Sequence, residues 1–219
     1  MITPYGRSTL LWYGVCLTFV VAFVFAVDLS RGSRFAVLTA AAVLTLLVLN
    51  FFRDPERSVP AGDRLIIAPA DGKIISIGRV VEPEYIRGDA LQVCIFMSPL
   101  DVHVNRYPVT GRVGYFRHIP GRFIPAFRHK ASEDNERTLI GIERGDVRVL
   151  FKQIAGSLAR RIVADVSVGA GAVAGERFGM IRFGSRVDVL MPVASAVHVK
   201  LNDRAVAGET ILASLPVTA

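Results

Sequence analysis

Little in this sequence invites disulfide, metal or nucleotide chemistry. It has two cysteines in 219 residues, in unlike places: Cys16 within an apolar N-terminal run and Cys94 within a strand-like stretch. With no CxxC and no second pair, a disulfide framework is excluded. Both cysteines read as packing residues, and the main domain is expected in a reducing compartment. The four histidines, His103, His118, His129 and His198, lack metal-ligand spacing, so no metal is expected. There is no P-loop, no GxGxxG and no nucleophile elbow. Nor does any run of Arg and Lys interleave with aromatics. Nucleic acid is therefore the weaker partner for a chain of net charge +7, and an anionic membrane surface the better one.

Charge is scarcest at the N-terminus. Residues 1–52 hold four charged side chains, Arg7, Asp28, Arg31 and Arg34, whereas residues 53–219 hold the other 41. From Ser8 to Val27 there are 20 uncharged residues and from Phe35 to Phe52 another 18. As helices these reach about 30 and 27 Å, the thickness of a hydrocarbon core. The polar DLSRGSR between them, with Gly32, reads as a turn, so residues 1–52 are expected to form a transmembrane helical hairpin. A monotopic or re-entrant second run is the alternative. A signal peptide fits poorly, because the first run is long and no small-residue cleavage site follows. Arg7, Arg53 and Arg57 at the open ends outnumber Arg31 and Arg34 in the turn. That places the main domain on the cytoplasmic face of the cell membrane.

After FFRDPER the pattern changes. RLIIAPADGKIISIGRVVE, ALQVCIFMSPLDVHVNRYPVTGRVGYF, DVRVLFKQIAG, MIRFGSRVDVLMP and AVHVKLN carry β-branched or aromatic residues at period two and end at Gly or Pro. Residues 53–219 are thus expected to be mainly β, an antiparallel β-sandwich or flattened barrel with a few short helices. Helical periodicity is confined to LARRIVADV and the surroundings of KASEDNERT, where Ser132 would cap a short helix.

Three stretches carry polar groups among apolar strands. Asp71 lies in the turn Ala68-Pro69-Ala70-Asp71-Gly72, where Asp and Gly suit tight dihedrals whatever their function. In Ser98–Arg106, alternation puts Asp101, His103 and Asn105 on one face, opposite Val102 and Val104. In Arg182-Phe183-Gly184-Ser185-Arg186, Gly-Ser suits self-cleavage: the hydroxyl can attack the preceding carbonyl, and Gly184 has no Cβ to hinder it.

Together these blocks resemble one family. FFRDPER, PADGKI, IFMSPLDVHVNR, PGRF-x-PAF, NER, KQIAG, ARRIV, GERFGMIRFGSRVDV and GET-x-LA run in order from about Phe51 to Ala213. They resemble the phosphatidylserine decarboxylase proenzymes, in the short bacterial and archaeal form. Long forms carry Leu-Gly-Ser-Thr at the cleavage site, where this chain has Phe-Gly-Ser-Arg. They also carry a second histidine where this chain has Arg106. The roles of Arg106 and Arg186 are left open.

The resemblance implies a pyruvoyl-dependent lyase, a zymogen cut between Gly184 and Ser185 by its own chemistry. Asp71 would orient His103, His103 would deprotonate Ser185, and Ser185 would attack Gly184 and end as the pyruvoyl cofactor. The products are residues 1–184 and a 35-residue chain, large and small chains of one precursor. The pyruvoyl would form a Schiff base with phosphatidylserine, and His103 would protonate the carbanion left by decarboxylation, giving phosphatidylethanolamine. Arg122, Arg128 and Lys152 are candidate phosphate ligands, the first two flanking an apolar segment suited to the membrane interface. Oligomeric state is left open, a homodimer included. The alternative is a membrane-tethered β-sandwich adaptor without catalysis. A lipoyl-type carrier would need an exposed hairpin lysine, which Lys73 serves poorly.

Overall fold

The apolar N-terminal runs fold as α-helices because nothing interrupts them. In the computed structural model, which describes residues 1–124, 134–156, 161–182 and 185–216, α1 spans Arg7–Ala26 and α2 spans Arg31–Phe51. Ser30 caps α2 by accepting from the Ser33 N–H at 3.1 Å. The expected turn is therefore shorter than DLSRGSR, since Arg31 to Arg34 already form the first turn of α2. Both helices are long and apolar enough to cross a membrane. Their large side chains point outward, with Trp12 67% and Phe19 72% exposed. The N-terminus turns back on the end of α2: Thr3 N–H donates to the Phe52 carbonyl at 2.9 Å and Asp54 N–H to that of Met1 at 2.7 Å. These bonds tie residues 52–54 to the hairpin, and the chain divides into units Met1–Pro55 and Glu56–Ala219.

The second unit is antiparallel β. Its strands are β1 (Leu65–Ile67), β2 (Gly72–Glu82), β3 (Gly88–Met97), β4 (Val104–Arg106), β5 (Gly111–Ile119), β6 (Arg137–Arg144) and β7 (Val147–Ile154). There follow β8 (Ile162–Ala164), β9 (Gly171–Ala172), β10 (Arg177–Ile181), β11 (Ser185–Pro192), β12 (Ala196–Val197), β13 (Arg204–Ala205) and β14 (Ile211–Ser214). Eight strands make one sheet in the order β13-β2-β3-β11-β7-β6-β5-β9. Register shifts between Ile74 and Ser76 and between Val113 and Tyr115 add local twist, and the sheet curls as a half-barrel. Two three-stranded sheets accompany it, β1-β14-β12 and β4-β10-β8.

The core follows the strand period. Val93, Ile95, Val149, Phe151, Val187 and Val189 alternate inward and pack with Tyr107, Phe178 and Leu212. Phe178 is central, with ring centroids 5.0 Å from Phe151 and 5.1 Å from Tyr107. Burying such a side chain stabilises the fold by about 1.5–3 kcal/mol. The helix expected over LARRIVADV is not formed in its described part. Ile162–Ala164 is strand β8, paired with Gly179 to Ile181 of β10, and its β-branched Ile162 and Val163 suit that pairing. Ser132, the expected cap, lies outside the described residues.

Candidate active site

Antiparallel pairing collects the ends of β3 and β7 and the starts of β2, β6 and β11 at one end of the large sheet. Ser185 opens β11 opposite Met97, the last residue of β3. It is fully buried, and its hydroxyl donates to Met97 Sδ at 3.2 Å. Asn105 Nδ2 lies 3.8 Å from the same sulfur. Asn105 Oδ1 in turn accepts from Gln153 Nε2 at 2.9 Å, and Gln153 Oε1 from Thr138 Oγ1 at 2.7 Å. A line of buried, mutually satisfied polar groups thus runs beneath the sheet from Thr138 to the sulfur on which Ser185 rests. Gln153 and Thr138 are inward-facing residues of apolar strands. A polar residue at a core position of VLFKQIAG is the signal that could have marked them.

His103 precedes β4 rather than lying within it. The turn before it is closed by the Asp101 N–H to the Ser98 carbonyl, 2.9 Å, and the Ser98 N–H to Asp101 Oδ2, 2.8 Å. The other Asp101 oxygen accepts from Arg204. His103 Nδ1 lies 2.8 Å from the Asp101 carbonyl oxygen. A carbonyl can only accept, so Nδ1 carries the proton. In the neutral ring Nε2 is then the basic nitrogen. The His103 carbonyl accepts from the Ile181 N–H at 3.3 Å, which sets the histidine beside the end of β10, four residues before Ser185. Both faces of this stretch are covered. Residues 101–106 are buried throughout, because β4 pairs with β10 while the 68–71 loop packs against it.

Asp71 is held elsewhere. Arg57 Nη2 reaches its two oxygens at 3.0 and 2.9 Å, and the Ala207 N–H donates to Oδ1 at 2.8 Å. The described hydrogen bonds join Asp71 to Arg57 and the Ala207 N–H, and His103 to the Asp101 carbonyl. The loop nonetheless touches the histidine's strand. The Pro69 carbonyl accepts from the Arg106 N–H at 2.9 Å and from Asn105 Nδ2 at 3.5 Å. Gly72 allows the turn, since a Cβ there would stand 2.2 Å from the Phe96 carbonyl oxygen.

Arg122 is exposed at the same end of the sheet, next to the half-exposed Phe123. Its backbone bridges Asn135, whose Nδ2 donates to the Ile124 and Ala155 carbonyls at 2.7 and 2.6 Å. Gly121 is required there, because a Cβ would come within 2.4 Å of the Asn135 carbonyl carbon. Lys152 is paired with Asp188, so it stands on the face of the sheet opposite Ser185. Gly184 and Arg128 lie outside the described residues.

A buried serine at a strand's first residue, four residues past a strand end that hydrogen-bonds the histidine's backbone, marks the class: a β-fold protein with a buried serine and a buried histidine near one strand end. Residues 44–213 match the family model described as Phosphatidylserine decarboxylase. The chain is 47% identical over 219 residues to a phosphatidylserine decarboxylase proenzyme of Chlorobium phaeovibrioides, covering 100% of this chain and 99% of that one. It is 45% identical over 199 residues to that of Symbiobacterium thermophilum, covering 90% and 93%. For that of Cytophaga hutchinsonii the figures are 44% over 178 residues, 81% of each chain. The chain belongs to the phosphatidylserine decarboxylase family.

Proposed function

We propose that this chain is a self-processing membrane enzyme that decarboxylates phosphatidylserine to phosphatidylethanolamine. The observation that supports this most is the burial of Ser185 at the head of β11, its hydroxyl held only by the soft sulfur of Met97 among the described hydrogen bonds. A hydroxyl so held is available to a base.

In the precursor, His103 Nε2 takes the Ser185 proton and Oγ attacks the Gly184 carbonyl carbon. The Gly184–Ser185 C–N bond breaks and the nitrogen takes the proton back, leaving an ester between Gly184 and Oγ. Loss of the residue-185 Cα hydrogen as a proton then expels the Gly184 carboxylate from Cβ. The remaining dehydroalanine, as its imine tautomer, takes up one water and releases one ammonia, leaving a pyruvoyl group on Arg186 N.

The buried pocket that holds serine suits a pyruvoyl, a planar group of similar size, with Met97 beneath it and the Asn105 amide beside that sulfur. When present, the pyruvoyl supplies an electrophilic carbonyl that takes up the substrate amine and accepts the electron pair freed as carbon dioxide leaves. His103 Nε2, protonated as the substrate ammonium gives up a proton on binding, then passes that proton to the carbon that has lost its carboxylate. The Asp101 carbonyl fixes the tautomer. Asp71, held by Arg57, fixes the 68–71 loop under Asn105.

The helical hairpin anchors the chain in the cell membrane with the β unit on its cytoplasmic side, and Arg122 with Phe123 meets the lipid surface. A denaturing gel with mass spectrometry tests the core of the proposal. By proportion of the 23.8 kDa chain, the two fragments should be about 20 and 4 kDa, the smaller with a blocked N-terminus. Ser185→Ala should remain one chain and decarboxylate nothing. An active preparation holding only the intact 219-residue chain would overturn the proposal.

A further inference from the structure

The opposite face of β11 carries a buried ion pair that the chemistry above leaves unused. Arg186, directly after Ser185, is 4% exposed, and Asp188 is fully buried. Alternation turns both side chains away from the face that holds Ser185. Arg186 Nε donates to Asp188 Oδ1 and Nη2 to Oδ2 at 3.0 Å, while Nη2 also reaches Cys94 Sγ at 2.9 Å. Gln92 Nε2 donates to Asp188 Oδ2 at 3.0 Å. Because Cys94 and Gln92 belong to β3, the cluster fastens the first turn of the pleat in β11 across to its neighbour. Burial works against the Arg186 charge, but Asp188 and Cys94 outweigh it and the net shift is upward. Burial, reinforced by Asp188, pushes the Cys94 thiol up as well, so it stays protonated as a contact and is no nucleophile.

Stability alone gives little reason for this arrangement, because apolar replacement of a buried ion pair is commonly neutral or stabilising. Its position gives a better one. In the precursor, residue 185 is held by peptide bonds on both sides. After self-cleavage it becomes a chain terminus, and strand termini fray. Arg186 is then the first residue of the small chain with an ordinary side chain. We propose that the Arg186–Asp188 pair, with Cys94 and Gln92, is a positioning device that pins the new terminus of the small chain and keeps the group at position 185 in register with Met97. This rests on the self-cleavage proposed above.

The decisive variant is Arg186→Met/Asp188→Leu, which removes both charges and strands neither. Amide hydrogen exchange at residues 186–189 is read in full-length protein, in the cleaved form and in an uncleavable Ser185→Ala background. Cleavage should go to completion. In the cleaved form, exchange should quicken and kcat should fall, each about tenfold, the size of one lost charge-assisted hydrogen bond, with KM little changed. In the Ser185→Ala background, exchange and thermal midpoint should match those of Ser185→Ala alone. Arg186→Lys, which keeps the charge but loses the two-pronged reach, should shift the cleaved form the same way by about threefold. Unchanged exchange in both cleaved variants would overturn the proposal. Equal quickening in the uncleavable background would also overturn it, because the pair would then serve the fold at large. Failure of the parent reading looks different: the wild type would show no fragments on a gel, before any exchange is measured.

Discussion

The two units of this chain distribute polarity in opposite ways. The hairpin turns its apolar side chains outward, Trp12, Phe19, Phe35 and Leu46 among them, and buries few residues. The β unit hides His103, Asn105, Gln153, Ser185 and Asp188 and gives each a partner from another strand or turn. An outward apolar surface is stable only in an apolar surrounding, whereas an inward polar set is stable only when its members satisfy one another. In the proposed function the first unit thus supplies location and the second chemistry, and each can be disturbed without the other.

The largest expected effect lies wholly in the β unit. His103→Ala should slow self-cleavage by about 10²–10⁴-fold, the usual size of a lost general base, so that intact precursor accumulates. Asp71→Asn should slow it less, because the imidazole remains. Arg57 decides how Asp71 acts. If the carboxylate works through Arg57 and the 68–71 loop, Arg57→Met should reproduce the Asp71→Asn defect in a pulse-chase measurement of processing. Normal processing in Arg57→Met would restore direct orientation of His103 by Asp71.

A middle-sized effect separates the units. Removing residues 1–55 should leave self-cleavage at its normal rate, because Asp71, His103 and Ser185 and their described partners lie beyond it. Turnover of phosphatidylserine in vesicles should fall by about tenfold or more through lost proximity, while turnover of a short-chain soluble analogue is kept. Equal losses on both substrates would break the comparison and make the hairpin part of the catalytic fold.

The same contrast explains what could be read from the sequence. Two long uncharged runs leave little choice but helices, and α1 and α2 end within a residue of where those runs stop, although Ser30 starts α2 earlier than Phe35. Period-two alternation marks most strands, and Gly184-Ser185 marks the proposed nucleophile. The partners are what stayed hidden. His103 is oriented by a backbone carbonyl, a group every residue owns. Asp71 is claimed by Arg57, which from the sequence alone reads as a membrane-flanking charge. β8 differs from the helical pattern of LARRIVADV because three β-branched or small residues say little until β10 lies beside them.

The smallest effect sharpens the comparison most, because one kind of lesion is made in both units. In the hairpin, Tyr13 Oη lies 2.7 Å from Thr45 Oγ1, and Thr45 itself donates to the Ala41 carbonyl at 2.7 Å. Thr45 therefore spends its proton within α2, and Tyr13 is the donor between the helices. Tyr13→Phe removes that bond but strands nothing, since Thr45 keeps its acceptor. The cost should be about 0.6 kcal/mol, typical of such bonds within a bilayer. In the β unit, Gln153→Leu removes the acceptor of Thr138 and the donor to Asn105 together, and all three residues are buried. Each stranded group should cost about 1–3 kcal/mol. The freed Asn105 should also let Met97 shift under Ser185, so processing slows along with the loss of stability. Denaturant midpoints for both variants in detergent-solubilised protein give the ratio. Equal losses would mean that the hairpin's polar contact is as confined as the buried line beneath the sheet, and that the two units do not obey different solvents.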